Sequence, residues 1–193
     1  MARNGIRACA VLVLTATSMA AQEPTPPSTL SQDAKVTVTI GNTAAPPEWE
    51  LSVPVSLKVT ADAEVGRVSL RLLYPTKALR YTSVRASETL KKANFDVKGG
   101  TPKIANENGE IMLTIQPAAG QKPDRLPSGT VAIVVFRVTK DAPEKSWPMT
   151  AESVEAWGTL PEAASVSAAA GPAGKFIVTP PGLPILSCFF YMH

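Results

Sequence analysis

Cysteine and histidine are almost missing from this 193-residue chain, which has two of the former and one of the latter. The histidine is the last residue, His193, where a frayed terminus cannot hold a positioned base for a Ser-His-Asp or Cys-His arrangement. One terminal histidine and two distant cysteines, Cys9 and Cys188, also cannot close a zinc shell. Long basic runs are absent too, so nucleic acid is excluded as a partner for want of an electrostatic footprint. No segment keeps a 3.6-residue apolar period for more than about two turns, and no repeat of 20–50 residues is visible.

What is present begins with an export pattern. Arg3 and Arg7 precede an apolar run from Ala8 to Leu14, and small residues lead to Ser18-Met19-Ala20 and Ala21. This reads as a signal peptide, residues 1–21, cleaved near Ala20 or Ala21. The competing reading, a membrane anchor, needs about 20 apolar residues, and this run is far shorter. Cys9 stands at the start of the run, where a lipoprotein cysteine would stand at its end. Removing Arg3 and Arg7 from the 19 basic residues leaves 17 against 16 acidic ones, so the mature chain is nearly neutral. Secretion, to the exterior or a bacterial periplasm, is expected, with no transmembrane span after cleavage. Cys188 would then be the one remaining cysteine, and the fold would rest on its core without an intrachain disulfide.

Residues 22–34, rich in Pro, Ser and Thr, form an extended solvated linker or a terminus without a role. From residue 35 the period becomes two. Val36, Val38 and Ile40 alternate with threonines, and Leu51, Val53, Val55, Leu57 and Val59 share one face of a longer strand. Pro54 lacks an N–H and marks that strand as an edge or a bulge. Val68, Leu70 and Leu72 define a third strand, and Leu79–Val84 another. Residues 86–94 allow one or two helical turns, and Phe95–Val97 a short strand. Asn106-Glu107-Asn108-Gly109 reads as a hairpin turn, with Asn and Gly supplying positive φ, before Ile111, Leu113 and Ile115. Val131–Val138 is nearly all apolar, as in a strand covered on both faces. Further strands fall at Met149–Trp157 and Lys175–Val178. The expected fold is all-β, an antiparallel, jelly-roll-like sandwich of eight to nine strands spanning 35–179. An apolar tail of unassigned role follows over 180–193.

The order of these strands resembles that of cohesin domains. Leu51-Ser52-Val53-Pro54-Val55-Ser56-Leu57 is similar to the family's "VPVxL" strand. Val68–Leu79 resembles the apolar strand that runs into "YDPxxLx", although Tyr74 here is followed directly by Pro75. Gly109-Glu110-Ile111-Met112-Leu113 resembles "GxIxL", and Val131–Val138 resembles "LaxixFkV". The resemblance covers about residues 35–179. It implies a non-catalytic extracellular module that binds a protein partner, a dockerin or a surface or secretion component, through one sheet face. It implies no cofactor, and a setting linked to polysaccharide degradation.

Direct polysaccharide binding is the alternative. Sugar-binding sheets present rows of aromatic rings, and no strand here carries two aromatics at i and i+2. Trp49, Trp147 and Trp157 all suit core or core-edge positions. Trp49 and Trp147, both close to prolines, are the candidate partner- or sugar-binding residues. Paired acids for glycoside cleavage would have to come from Glu48 and Glu50 or from Glu107 and Glu110, all in expected loops or turns. Asp62 and Glu64, with loop carbonyls, are the one conceivable calcium pair. The expectation is therefore a binding module with no catalytic residue and no metal.

Overall fold

The computed structural model describes residues 33–105, 107–159 and 164–181. The signal peptide, most of the linker and nearly all of the tail lie outside these residues, as do both cysteines and His193. In chain order the strands are β1 (Val36–Ile40), β2 (Thr43–Ala45), β3 (Glu50–Val59), β4 (Arg67–Pro75) and β5 (Leu79–Ala86). The helical turn α1 (Glu88–Lys92) follows, then β6 (Phe95–Gly99), β7 (Lys103–Ala105), β8 (Asn108–Pro117) and β9 (Gly129–Val138). The last are β10 (Ser146–Trp157), β11 (Ser165–Val166), β12 (Ala168–Ala170) and β13 (Gly174–Val178). None of the described helical structure is long and apolar enough to cross a membrane.

The strands form two sheets. The smaller has the order β12-β1-β3-β9-β5, and the larger β2-β13-β10-β4-β8-β6, with β11 added to β10 and β7 to β8. The expected sandwich is therefore present, but with thirteen strand segments among the described residues instead of eight or nine. The surplus consists of two- and three-residue pieces that period-two patterning cannot register. Pairing is antiparallel except at β1–β12 and β2–β13, which are parallel. Both exceptions arise where the end of the chain crosses between sheets: β11 lies on β10, β12 on β1, and β13 again on β10.

Alternation places the core. Val36, Val38, Leu51, Val53, Val55, Leu57, Val68, Leu70, Leu72, Ile111, Leu113 and Ile115 are all 3% exposed or less. Their strand neighbours face outward. Phe136 is buried between Tyr74 and Tyr81, at centroid separations of 5.0 and 6.1 Å. Such tilted aromatic pairs add to the stabilisation from burial itself. The helical turn is short because Ser87 caps it by accepting from Leu90 N, while Asn94 ends it at φ 60°. Asparagine tolerates that left-handed conformation. Leu90 is the turn's buried anchor.

Three local expectations are corrected. Pro54 lies in β3, an interior strand between β1 and β9, which overturns the edge alternative, while the β3–β9 register does shift just beyond it, between Val55 and Ser56. Its missing N–H is harmless because β1 has ended at Ile40; only Gly41 N reaches back, donating to Pro54 O at 2.8 Å. A Cβ on Gly41 would lie 2.5 Å from the proline ring. The hairpin turn falls one step earlier than expected, since Ala105 pairs with Asn108. Gly109 is thus a strand residue without positive φ, and it is small because the Tyr74 ring lies across it, 2.2 Å from where a Cβ would stand. Finally, β9 is not covered on both faces: Ala132 and Val134 are buried, but Ile133 and Val135 face outward and are only half-buried. Its apolar density comes partly from a bulge that buries Val131 as well as Ala132.

Leu113→Ala should lower the unfolding free energy by about 2–5 kcal/mol, a fully buried leucine deletion. Gly109→Ala should also destabilise, whereas Met112→Ala, beside them but outward-facing, should change stability by no more than about 0.5 kcal/mol. Denaturant titration of the three variants checks this ordering.

Candidate functional site

Inward positions are consumed by the core, so recognition falls to the outer faces. On the larger sheet, burial of Val68, Leu70 and Leu72 turns Arg67, Ser69, Arg71 and Leu73 outward. Strand register then sets their neighbours. Leu73 lies between Thr150 and Glu110, and Arg71 between Glu152 and Met112. Ser69 lies between Glu155 and Thr114, with Lys98 beyond, and Trp157 stands opposite Arg67.

Arg71 is the centre of this face. One guanidinium nitrogen, Nη2, donates to Glu152 Oε2 at 2.8 Å, and Nη1 lies 3.6 Å from Glu110 Oε2. The three side chains are about a third exposed, so the triad links three strands at the surface. Pairs this accessible contribute at most about 1 kcal/mol each. Their clearer effect is to hold Arg71 flat against the sheet as a pre-ordered, half-desolvated charge. Beside it, Met112 is 43% exposed and its sulfur accepts from Ser69 Oγ at 3.3 Å. The Arg67 guanidinium lies over the Trp157 ring at 5.0 Å.

A bulge in β10 shapes the face further. Ser153 and Val154 together stand opposite Leu70, and Ser153 has φ 47°. A left-handed serine in a strand is unfavourable by about 1–2 kcal/mol. The bulge leaves Glu152 and Glu155 both outward while Val154 packs on the core. Beside it an open groove of about 480 Å³ runs between β10 and the β11–β12 segment, lined by Trp157, Glu155, Ser165 and Ser167.

The residues singled out in the sequence lie elsewhere. Trp49 is 58% exposed, next to Glu48 at φ 67°. Trp147 is opposite the buried Phe176 and packs at the core edge. Its Nε1 donates to Pro143 O at 3.4 Å, and the Lys145 ammonium stands 3.9 Å above the ring. Trp147 is in β10 of the larger sheet, whereas Trp49 lies in the turn just before β3 of the smaller one, hydrogen-bonded through its backbone to Val138. Trp157, expected as core or core edge, instead joins the outer face. Arg71, Met112 and Trp157 were the residues sequence reading missed. Their signal was available in the outward positions of β4, β8 and β10, but only strand register assembles them.

Neither acidic pair forms a catalytic site. Glu107 is tied to Lys77, whose ammonium holds its carboxyl below the usual range, opposite to what a general acid needs. Glu110 is engaged by Arg71. Glu50 faces Arg137 across the β3–β9 register. At the calcium candidate, the Thr60 hydroxyl and the Lys35 ammonium, 3.0 Å from Asp62, hold the Asp62 carboxyl down to about 2. That carboxylate is already neutralised by a neighbour. Among the described residues no group of three His, Cys, Asp or Glu side chains is placed to hold a metal ion.

The described residues thus form a β-sandwich with a mixed apolar and charged outer sheet face. A family model described as the cohesin domain matches residues 36–168, and the chain belongs to that family of non-catalytic protein-binding modules. Solved structures agree in fold. The sixth cohesin of Acetivibrio cellulolyticus scaffoldin B, determined in complex with a Cel5 dockerin mutant, superposes with a TM-score of 0.59 at 14% identity. That match covers 76% of this chain and 100% of the cohesin. The seventh type I cohesin of ScaB from Pseudobacteroides cellulosolvens gives 0.58 at 21% identity, over 82% and 97%. A non-cellulosomal cohesin from the archaeon Archaeoglobus fulgidus gives 0.53 at 23%, over 76% and 92%. No curated protein matches the chain.

The Asp62 pair sets a pH expectation. A carboxyl depressed in the folded state adds stability above its unfolded value near 3.8, and that contribution is lost as pH falls toward 2. Lys35→Ala should move the Asp62 titration upward in side-chain NMR and flatten the acid limb of the stability profile.

Proposed function

We propose that this domain is the recognition module of a secreted or surface assembly, taking a protein partner on the outer face of the larger sheet. The observation that carries this reading is the cluster of Leu73, Arg71, Met112 and Trp157 within four rungs of β4, β8 and β10. Arginine, methionine and tryptophan are the types enriched at the centres of protein interfaces. Arg71 is already ordered by Glu110 and Glu152, so a partner would not have to immobilise it on binding. Membership of the cohesin family supports a dockerin-type partner, as in the Acetivibrio complex. The cohesin from Archaeoglobus, described as non-cellulosomal, leaves room for a surface or secretion component instead. The amino-terminal pattern supports export by a cleaved signal peptide over residues 1–21, followed by the proline-rich linker. A place in polysaccharide breakdown would follow from an enzyme-borne partner, with no catalysis by this domain.

The test is equilibrium binding to a panel of purified dockerin modules and to secretion and surface components encoded beside this gene. Leu73→Asp and Met112→Asp should each weaken the cognate interaction roughly tenfold to a hundredfold while leaving the fold intact, the range for anchors at an interface centre. Unchanged affinity in both would contradict the proposed face. The exposure of Trp49 keeps one second reading open, direct attachment to polysaccharide through that ring. It requires retention on an insoluble polysaccharide that Trp49→Ala abolishes.

A further inference from the structure

The outer face of the smaller sheet carries a feature the first face does not explain. Arg80 on β5 stands directly opposite Arg137 on β9, both exposed. Like charges facing each other across two strands destabilise a sheet. Neither arginine, nor Arg85 further along β5, forms an ion pair among the described residues. Glu50, beside Arg137, is the one carboxylate on the outward positions of these strands, against Arg80, Arg85, Arg137 and Lys58.

Between the two arginine rungs lies one rung, Val135 flanked by the exposed Ser52 and Ser83. Register places Ser83 beside Val135 and Arg85 beside Ile133, with Pro54 on the far side of Ile133. Ile133, Val135 and Pro54 are all half-buried and outward-facing. The rung with Arg80 and Arg137 and the rung with Arg85 lie four β9 residues apart, or about 13 Å. None of the outward positions of β3, β5 and β9 that make these rungs carries an aromatic residue, since Tyr81 turns inward onto Phe136 and Trp49 precedes β3.

We infer that this face is a second docking surface, for an extended acidic protein segment with carboxylates four residues apart and an apolar residue between them. A strand-like segment shows residues i, i+2 and i+4 on one side, which matches Arg80 and Arg137 on one rung, Val135 on the next, and Arg85 beside Ile133 on the third. Charge complementarity selects the occupant. An anionic polysaccharide would find no ring to stack on, and a second copy of this chain would bring arginines against arginines.

The test uses the folded mature protein and fluorescence anisotropy with a labelled peptide, Gly-Glu-Thr-Leu-Thr-Glu-Gly. Its lysine-for-glutamate counterpart and labelled polygalacturonate are the comparison probes. The acidic peptide should bind, weakening roughly tenfold from low to physiological salt, as expected of exposed charges. The double variant Arg80→Ala with Arg137→Ala should lose roughly tenfold in affinity, and Val135→Ser a similar amount. Independently, Arg80→Glu should raise Tm, because a repulsive rung becomes an attractive one. No binding of the acidic peptide, equal binding of the lysine peptide, preference for polygalacturonate, or a Tm that falls in Arg80→Glu would each overturn the inference. So would self-association through this face, seen as a dimer in sedimentation that Arg80→Glu alters. None of these residues lies on the larger sheet's outer face, so failure here leaves the proposed function standing, and the converse holds.

Discussion

Two sheets burying one continuous apolar layer between them is the constraint on which every other feature of this domain depends. Among the described residues the five ion pairs are all at the surface, and the buried positions are almost entirely apolar. Strand after strand therefore commits its inward positions to Val, Leu, Ile or Phe at nearly complete burial. Ser69, at 8% exposed, is the one buried polar residue among those described; it lies on the outward side of β4 and is hydrogen-bonded to Met112 Sδ and Leu113 O. A core this uniform specifies a fold and leaves recognition to the outside.

The two outer faces resolve that freedom differently. The larger sheet neutralises its central arginine with two glutamates and surrounds it with Leu73, Met112 and Trp157, a preorganised surface of mixed character. The smaller sheet sets Arg80 opposite Arg137, neither in an ion pair among the described residues, beside the half-buried Val135 and Ile133. On the first face the β10 bulge, the left-handed Ser153 and the adjacent groove lie together. Bulges of this kind re-aim side chains, and here the effect is to keep Glu152 and Glu155 on the same side of the sheet.

Much of this was legible in the residues. The inward faces of β1, β3, β4 and β8 follow directly from period-two alternation, and the cohesin strand order was recognisable from those segments. Short strands such as β2, β11 and β12 were not legible, because two or three residues show no period. Pro54 misled because a proline's tolerance depends on where the neighbouring strand stops, which is a property of Ile40 and Gly41. Gly109 misled because the Asn-Gly pair suggests a turn, while its actual constraint is the ring of Tyr74, 35 positions earlier in the chain. The outer-face cluster was hidden for a related reason. Arg71, Met112 and Trp157 come from three distant segments, and only β4–β8 and β4–β10 register brings them together. Trp49 and Trp147 drew attention as tryptophans near prolines, a local property that says nothing about shared faces.

The central claim is that a protein partner covers the larger sheet's outer face. Hydrogen exchange of the domain, alone and bound to its cognate protein, tests it most directly. Added protection should concentrate in β4, β8 and the Thr150–Trp157 part of β10, with β1, β3 and β9 unchanged. Protection confined to the β5–β9 face, or to the end of the sandwich bearing Trp49, would contradict the account.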